Sequence, residues 1–235
     1  TLPGGGSGYS VAFMGTTEIA VGSDGSPNIQ AYPWSSGFGT KYANPATLPT
    51  GYGQGTAFFS TTDIAVAHIS SPFFTAYPWS AGFGTKYANP GTLPASHGRA
   101  AAFNASDLAI AHDTSPFLTT YPWSAGFGTK YANPGTLPSG GGQGTDFGTS
   151  DIAVSTGTSP FIDTYPWSAG FGTRYSNPAT TPVTAGSAVD FGDFAVANLS
   201  VSVSDTVTVS ENISITVVCR PSVSDTVTVS ESIQI

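Results

Sequence analysis

The tetrapeptide Tyr-Pro-Trp-Ser begins at Tyr32, Tyr77, Tyr121 and Tyr165, and its spacings of 45, 44 and 44 residues constrain the fold more than any other feature. Asn-Pro pairs beginning at Asn44, Asn89, Asn133 and Asn177 keep those spacings, as do Ser-Pro pairs beginning at Ser26, Ser71, Ser115 and Ser159. Residues 77–94 are identical to residues 121–138. A fixed period of this length marks one supersecondary unit copied along the chain, each copy burying its apolar surface against its neighbours.

Within a unit the apolar residues recur with period two, and β-branched and aromatic positions are bounded by Gly, Pro, Ser and Asn, which reads as strands and turns. In the second unit the pattern predicts strand a over residues 55–59, strand b over 64–68, strand c over 73–79 and strand d around 85–88. Asp63 closes the a–b turn, Ser71-Pro72 makes the b–c turn, and Asn89-Pro90 ends the unit. A Gly-rich link, 51–55, precedes it, with equivalents at Gly98 and at 140–144. Four short strands in about 44 residues are the signature of a β-propeller blade.

Thr56-Ala57-Phe58 followed by Asp63-Ile64-Ala65-Val66-Ala67-His68 resembles the blades of WD-repeat and lactonase-like propellers. A Trp at the end of strand c is similar to the WD-repeat tryptophan. The family's Trp-Asp pair is missing, because Trp34, Trp79, Trp123 and Trp167 are each followed by Ser. The Tyr-Pro-Trp-Ser variant also resembles repeats of predicted phage and environmental-virus proteins. The resemblance covers about residues 1–197; it implies the propeller fold and says little about activity.

The expected fold is therefore all-β: a β-propeller of four-stranded blades, five in number, with a strand-rich C-terminal segment. The units run over about 8–50, 51–96, 97–139 and 140–184, and a partial fifth over 185–200 places strands a and b at 188–191 and 194–197. Thr1-Leu2-Pro3 matches the Thr-Leu-Pro that begins at Thr47, Thr92 and Thr136, so the chain starts at the tail of a blade. A start at Thr rather than Met reads as a processed or trimmed product. From 201 to 219 apolar residues alternate with Ser and Thr, and residues 202–211 recur at 222–231. Residues 201–235 thus either complete the last blade or form a tail or stalk. A fragment of a larger ring is the competing account of the blade count.

Six basic against fourteen acidic residues give a formal net charge of -8, which excludes the basic footprint of a nucleic-acid binder. No apolar run approaches the roughly 18 residues of a membrane-spanning helix, so no membrane insertion is expected. A lone cysteine, Cys219, forms no internal disulfide and reads as a small strand residue or an intermolecular thiol. The thin charge with many Ser, Thr and Gly residues fits an extracellular or virion surface.

Candidate chemistry is sparse. His68 and His112 are equivalent ends of strand b, with no third ligand at a sensible spacing, and His97 sits in a link, so no metal site is expected. Glu18, Asp63, Asp107, Asp151 and Asp193 occupy one repeated turn position. Lys41, Lys86, Lys130 and Arg174 occupy another. A residue repeated in every copy serves a structural demand of the copy, whereas a catalytic residue occurs once per site. Gly140-Gly141-Gly142-Gln143-Gly144 lacks the Lys and helix of a phosphate loop, and no catalytic residue or cofactor is expected. The richest recognition candidates are Trp34, Trp79, Trp123 and Trp167 with Tyr77 and Tyr121, whose rings suit a sugar or protein surface and equally suit packing between blades. The functional expectation is a noncatalytic structural or adhesive propeller that binds protein or receptor. The alternative is a multivalent glycan-binding lectin with one site per blade; a lactonase-like hydrolase ranks behind both. Partners are a surface protein or glycan, and self-association through the C-terminal β segment is a further expectation.

Overall fold

A computed structural model describes residues 6–191, which form twelve strands; no helix occurs among the described residues. The strands group by threes. Sheet 1 contains β1 (Gly8–Met14), β2 (Glu18–Ser23) and β3 (Ile29–Pro33), and sheet 2 contains β4 (Gly53–Phe59), β5 (Asp63–His68) and β6 (Phe74–Pro78). Sheet 3 has β7 (Gly98–Phe103), β8 (Asp107–His112) and β9 (Leu118–Pro122), and sheet 4 has β10 (Gly142–Phe147), β11 (Asp151–Thr156) and β12 (Ile162–Pro166). Every pairing is antiparallel, with Phe58 opposite Ile64 and Ile64 opposite Tyr77, and the same register recurs in the other sheets.

The middle strands of sheets 2 and 3 are covered on both faces. This is why β5 and β8 read as near-continuous small and apolar runs, Asp-Ile-Ala-Val-Ala-His and Asp-Leu-Ala-Ile-Ala-His, with every residue buried. Each first strand carries a register shift at its start, between Gly53 and Gly55 in β4. Glycine is required there by close approach rather than by turn geometry. A β-carbon on Gly98 would collide with the Phe73 carbonyl oxygen of the preceding unit, and one on Gly142 would lie 2.5 Å from that of Phe117.

The four-stranded expectation requires correction: residues 85–88 form no strand. After β6 the chain folds back through an isolated bridge between Trp79 and Phe83, then touches the sheet edge only twice, through Gly84 N–H to Pro78 O (2.8 Å) and Tyr87 N–H to Ala76 O (3.0 Å). Ala81 and Gly82 take positive φ in the connection, and Pro90 has no N–H to donate, so a regular ladder is not sustained. The expected strand at 188–191 also requires correction, because those residues form no strand, while the expected strand at 194–197, Asp193, Cys219 and the alternating segment 201–235 lie outside the described residues.

The sheets pack front to back in chain order. The back of sheet 2 presents Ala65, Phe74 and Ala76, and onto it the front of sheet 3 lays Leu108, Ile110, Tyr121 and Trp123. Ala20, Ile29 and Ala31 meet Ile64, Val66, Tyr77 and Trp79 in the same way, and Ala109, Ala111 and Leu118 meet Ile152, Val154, Tyr165 and Trp167. The first strands β1, β4, β7 and β10 are successive neighbours. Residues 187–189 follow β10: a β-carbon on Gly144 would lie 2.7 Å from Ala188 Cα, and Phe191 packs at Gly148.

Candidate functional site

The second and third buried interfaces are fastened by one repeated clamp. In the third, the Asp107 carboxylate accepts four side-chain hydrogen bonds, from Tyr131 Oη (2.8 Å), Trp167 Nε1 (3.0 Å), Ser106 Oγ (3.0 Å) and Asn104 Nδ2 (3.2 Å). Tyr131 comes from the segment after β9 and Trp167 from the end of β12, so one acid ties two sheets. In the second, Asp63 accepts from Tyr87 (2.6 Å), Thr62 (2.7 Å) and Trp123 (3.4 Å). Burial, with the hydrogen bond to the carboxylate and its charge, pushes Tyr87 and Tyr131 up to about 12, so both remain neutral donors. The first interface has Glu18 instead: Tyr42 donates to Oε1 (3.0 Å), while Oε2 and the Trp79 Nε1 are both buried without a partner.

The indoles of Trp79, Trp123 and Trp167 pack edge-on against three rings each. Trp123 meets Tyr87 and Phe103 at 5.2 Å and Phe127 at 5.0 Å between centroids, and Trp167 repeats the arrangement with Tyr131, Phe147 and Phe171. Trp79, Trp123 and Trp167 are 3, 4 and 8% exposed, and Tyr77 and Tyr121 are wholly buried. These two tyrosines reach back to the preceding link, donating to Thr47 O and Thr92 O at 2.8 Å. Of the six recognition candidates, five thus spend their faces between sheets, and only Trp34 is partly open.

What these interfaces leave accessible is a rim. Above the Asp107 clamp a cleft of about 370 Å³ is lined by Asn104, Ser106, Asp107, Thr149, Trp167 and Ala169, among others. It offers an amide, two hydroxyls, the Asp107 carboxylate and the edge of one indole, a hydrogen-bonding surface with one aromatic wall.

Most of the remaining charged candidates are paired, but both ring nitrogens of buried His68 are without a hydrogen-bond partner among the described residues. Burial lowers His68 and His112 to about 4, so both are neutral at physiological pH, and His112 Nε2 lies 2.9 Å from Thr119 Oγ1. No three His, Cys, Asp or Glu side chains gather as metal ligands among the described residues. Lys41, Lys86 and Lys130 each bond a backbone carbonyl and the nearby Asn44, Asn89 or Asn133, and Arg174 pairs with buried Asp163 at 2.6 Å.

A second opening lies where the first strands converge. It measures about 350 Å³ and is lined by residues 9–11, 54–56, 99–101, 143–145 and 187–189, five equivalent stretches of the repeat. Arg99 stands there in the place held by Tyr9, Gln54, Gln143 and Ser187 in the other copies. Its guanidinium forms a two-pronged pair with Asp113, Nε to Oδ1 at 2.8 Å and Nη2 to Oδ2 at 2.9 Å. Sequence reasoning passed over Arg99 and Asp113 because it followed what recurs. The signal that finds them is the opposite one, departure from the repeat.

No family model and no curated protein matches the chain. Among solved structures, the computationally designed Ika8 protein is similar with a TM-score of 0.59 and 9% identity, over 79% of this chain and 53% of that one. This chain therefore spans about half the length of Ika8. The computationally designed Ika4 protein aligns with a TM-score of 0.48 and 12% identity, over 71% of this chain and 95% of its own. At such identities the likeness to Ika8 is one of fold alone.

Proposed function

We propose that the protein is a noncatalytic β-propeller that serves as a structural or adhesive recognition module at an extracellular or virion surface, binding a protein or receptor. The observation that carries this reading is the clamp. The acids and lysines that recur with the repeat are engaged as hydrogen-bonding partners, which leaves them as fasteners rather than as acids, bases or nucleophiles. A sparsely charged exterior built from Ser, Thr, Asn and Gly accords with a surface setting.

The full ring in this proposal has five blades. Residues 187–189 supply the fifth stretch around the axial opening, and the front of sheet 1 is the only front with no other sheet packed on it among the described residues, as expected of a blade waiting for a fifth neighbour. Such closure removes exposed sheet edges.

A second reading is favoured by the rim cleft: a lectin with one weak glycan site per interface, gaining avidity from repetition. One experiment separates the two. The purified full chain is applied to a glycan array and to immobilised cell-surface protein, alongside a hydrolase screen. Protein binding without glycan binding supports the module, and multivalent glycan binding that falls when Thr149 is replaced by a bulky residue supports the lectin. Turnover of any ester or lactone overturns both.

A further inference from the structure

The axial opening is where the copies stop being alike. Around it the five equivalent positions hold Tyr9, Gln54, Arg99, Gln143 and Ser187: one cation, two amides and two hydroxyls, with no carboxylate among the lining residues. We propose that this opening is a single binding site for an acidic monosaccharide, a pyranose that carries a carboxylate.

The arrangement of Arg99 is the reason. A guanidinium has five N–H donors in a fixed plane. Asp113 engages one side of it through Nε and Nη2, which holds the plane in place. The end formed by Nη1 and the second Nη2 hydrogen keeps only a long contact, Nη1 to Gln54 Oε1 at 3.4 Å. That free end is a two-donor fork of the geometry a carboxylate accepts. Gln143 is similarly under-used, its Nε2 reaching Gly141 O at 3.4 Å. Two amides from the flanking sheets can both donate to and accept from sugar hydroxyls. Tyr9, 50% exposed, supplies the one aromatic ring that lines the opening, a surface for the C–H face of a pyranose. A volume of about 350 Å³ lies in the range of small-molecule sites.

The net charge of -8 works against anions at long range. Selectivity for an acid must then come from the local fork, and it vanishes with that fork. The site is independent of the surface-recognition reading: it is one per chain, whereas the lectin reading calls for one rim site per interface.

The test is titration calorimetry of the full chain with sodium galacturonate, with galactose and with sodium sulfate. The expected result is one galacturonate site per chain, galactose at least about tenfold weaker, and a loss of about ten- to hundredfold for galacturonate in Arg99→Gln, the scale of a charge-assisted pair. Gln143→Ala leaves the Arg99–Asp113 pair intact and is expected to weaken galacturonate several-fold, so the proposal stands or falls even if Arg99→Gln unfolds. Equal affinity for galactose, sulfate as tight as galacturonate, binding that survives both substitutions, or no binding overturns it. Several equal sites per chain for either sugar also overturn it, while sustaining the lectin reading.

Discussion

Sheets 1 and 3 are written with nearly the same residues yet live in different surroundings. Trp123 has Tyr87 and Asp63 of the preceding unit against it and is 4% exposed. Among the described residues its counterpart Trp34 has only Phe13 and Phe38 of its own unit, and those rings are 51 and 62% exposed; Phe103 and Phe127, their equivalents, are partly buried. The difference teaches that a unit does not own its core. Half of every core belongs to the predecessor, and the front of sheet 1 shows what a unit looks like without one.

The comparison breaks most readily at the indoles. Trp123→Ala is expected to cost about 3–5 kcal/mol in urea unfolding, the usual range for a buried large aromatic, and Trp34→Ala less than half of that. Equal losses would mean that the sheet 1 front is covered in solution as tightly as the others.

A second contrast concerns pH. Sheets 2 and 3 carry buried His68 and His112 where sheets 1 and 4 carry Ser23 and Thr156. Their folded values near 4 lie below the ordinary 6.5, so their contribution is complete above about pH 6.5 and is lost as pH falls towards 4. The loss approaches about 3 kcal/mol per histidine. His68→Ser with His112→Thr should flatten the stability profile between pH 7 and 4 relative to the parent; an unchanged slope refutes the assignment.

A smaller effect is expected at sheet 4. Burial, reinforced by neighbouring Asp190, raises the Asp146 carboxyl, which also accepts from Phe191 N–H at 2.7 Å. A raised folded value stabilises at low pH and loses that benefit as pH rises through it. Asp146→Asn should therefore raise the melting temperature slightly at pH 7 and not at pH 3. The smallest effect belongs to the open front: Phe38→Ser should change stability by no more than about 0.5 kcal/mol. A drop in sedimenting mass on that substitution would instead reveal a second copy seated on sheet 1.

Much of the fold was legible because strands and turns are local. The strand over 64–68 and the turn at Ser71-Pro72 follow from a short apolar run and its bounding turn residues. Strand d was misjudged because Thr85 to Ala88 has strand-like composition, while the positive φ at Ala81 and Gly82 and the missing donor at Pro90 limit its pairing to two hydrogen bonds. At Glu18, Asp63, Asp107 and Asp151 the recurring acids, expected to be turn residues, accept hydrogen bonds from aromatic side chains. Their actual partners, such as Asp63 with Trp123, lie 60 residues away, and only the stacking of one sheet on the next brings them together. Arg99 and Asp113 stayed hidden in a single copy among conspicuous repeats.

The reach of Tyr77, Tyr121 and Tyr165 to the carbonyls of Thr47, Thr92 and Thr136 has a genetic consequence. Both halves of each of these tyrosine joints lie 29 or 30 residues apart, within one period. Recombination between copies that drops or adds a whole period therefore rejoins complementary halves at the scar. The joints are indifferent to copy number, so a gene of this kind can shrink or grow by unequal exchange without inventing a new interface, and near-identical neighbours such as 77–94 and 121–138 are the substrate on which such exchange acts.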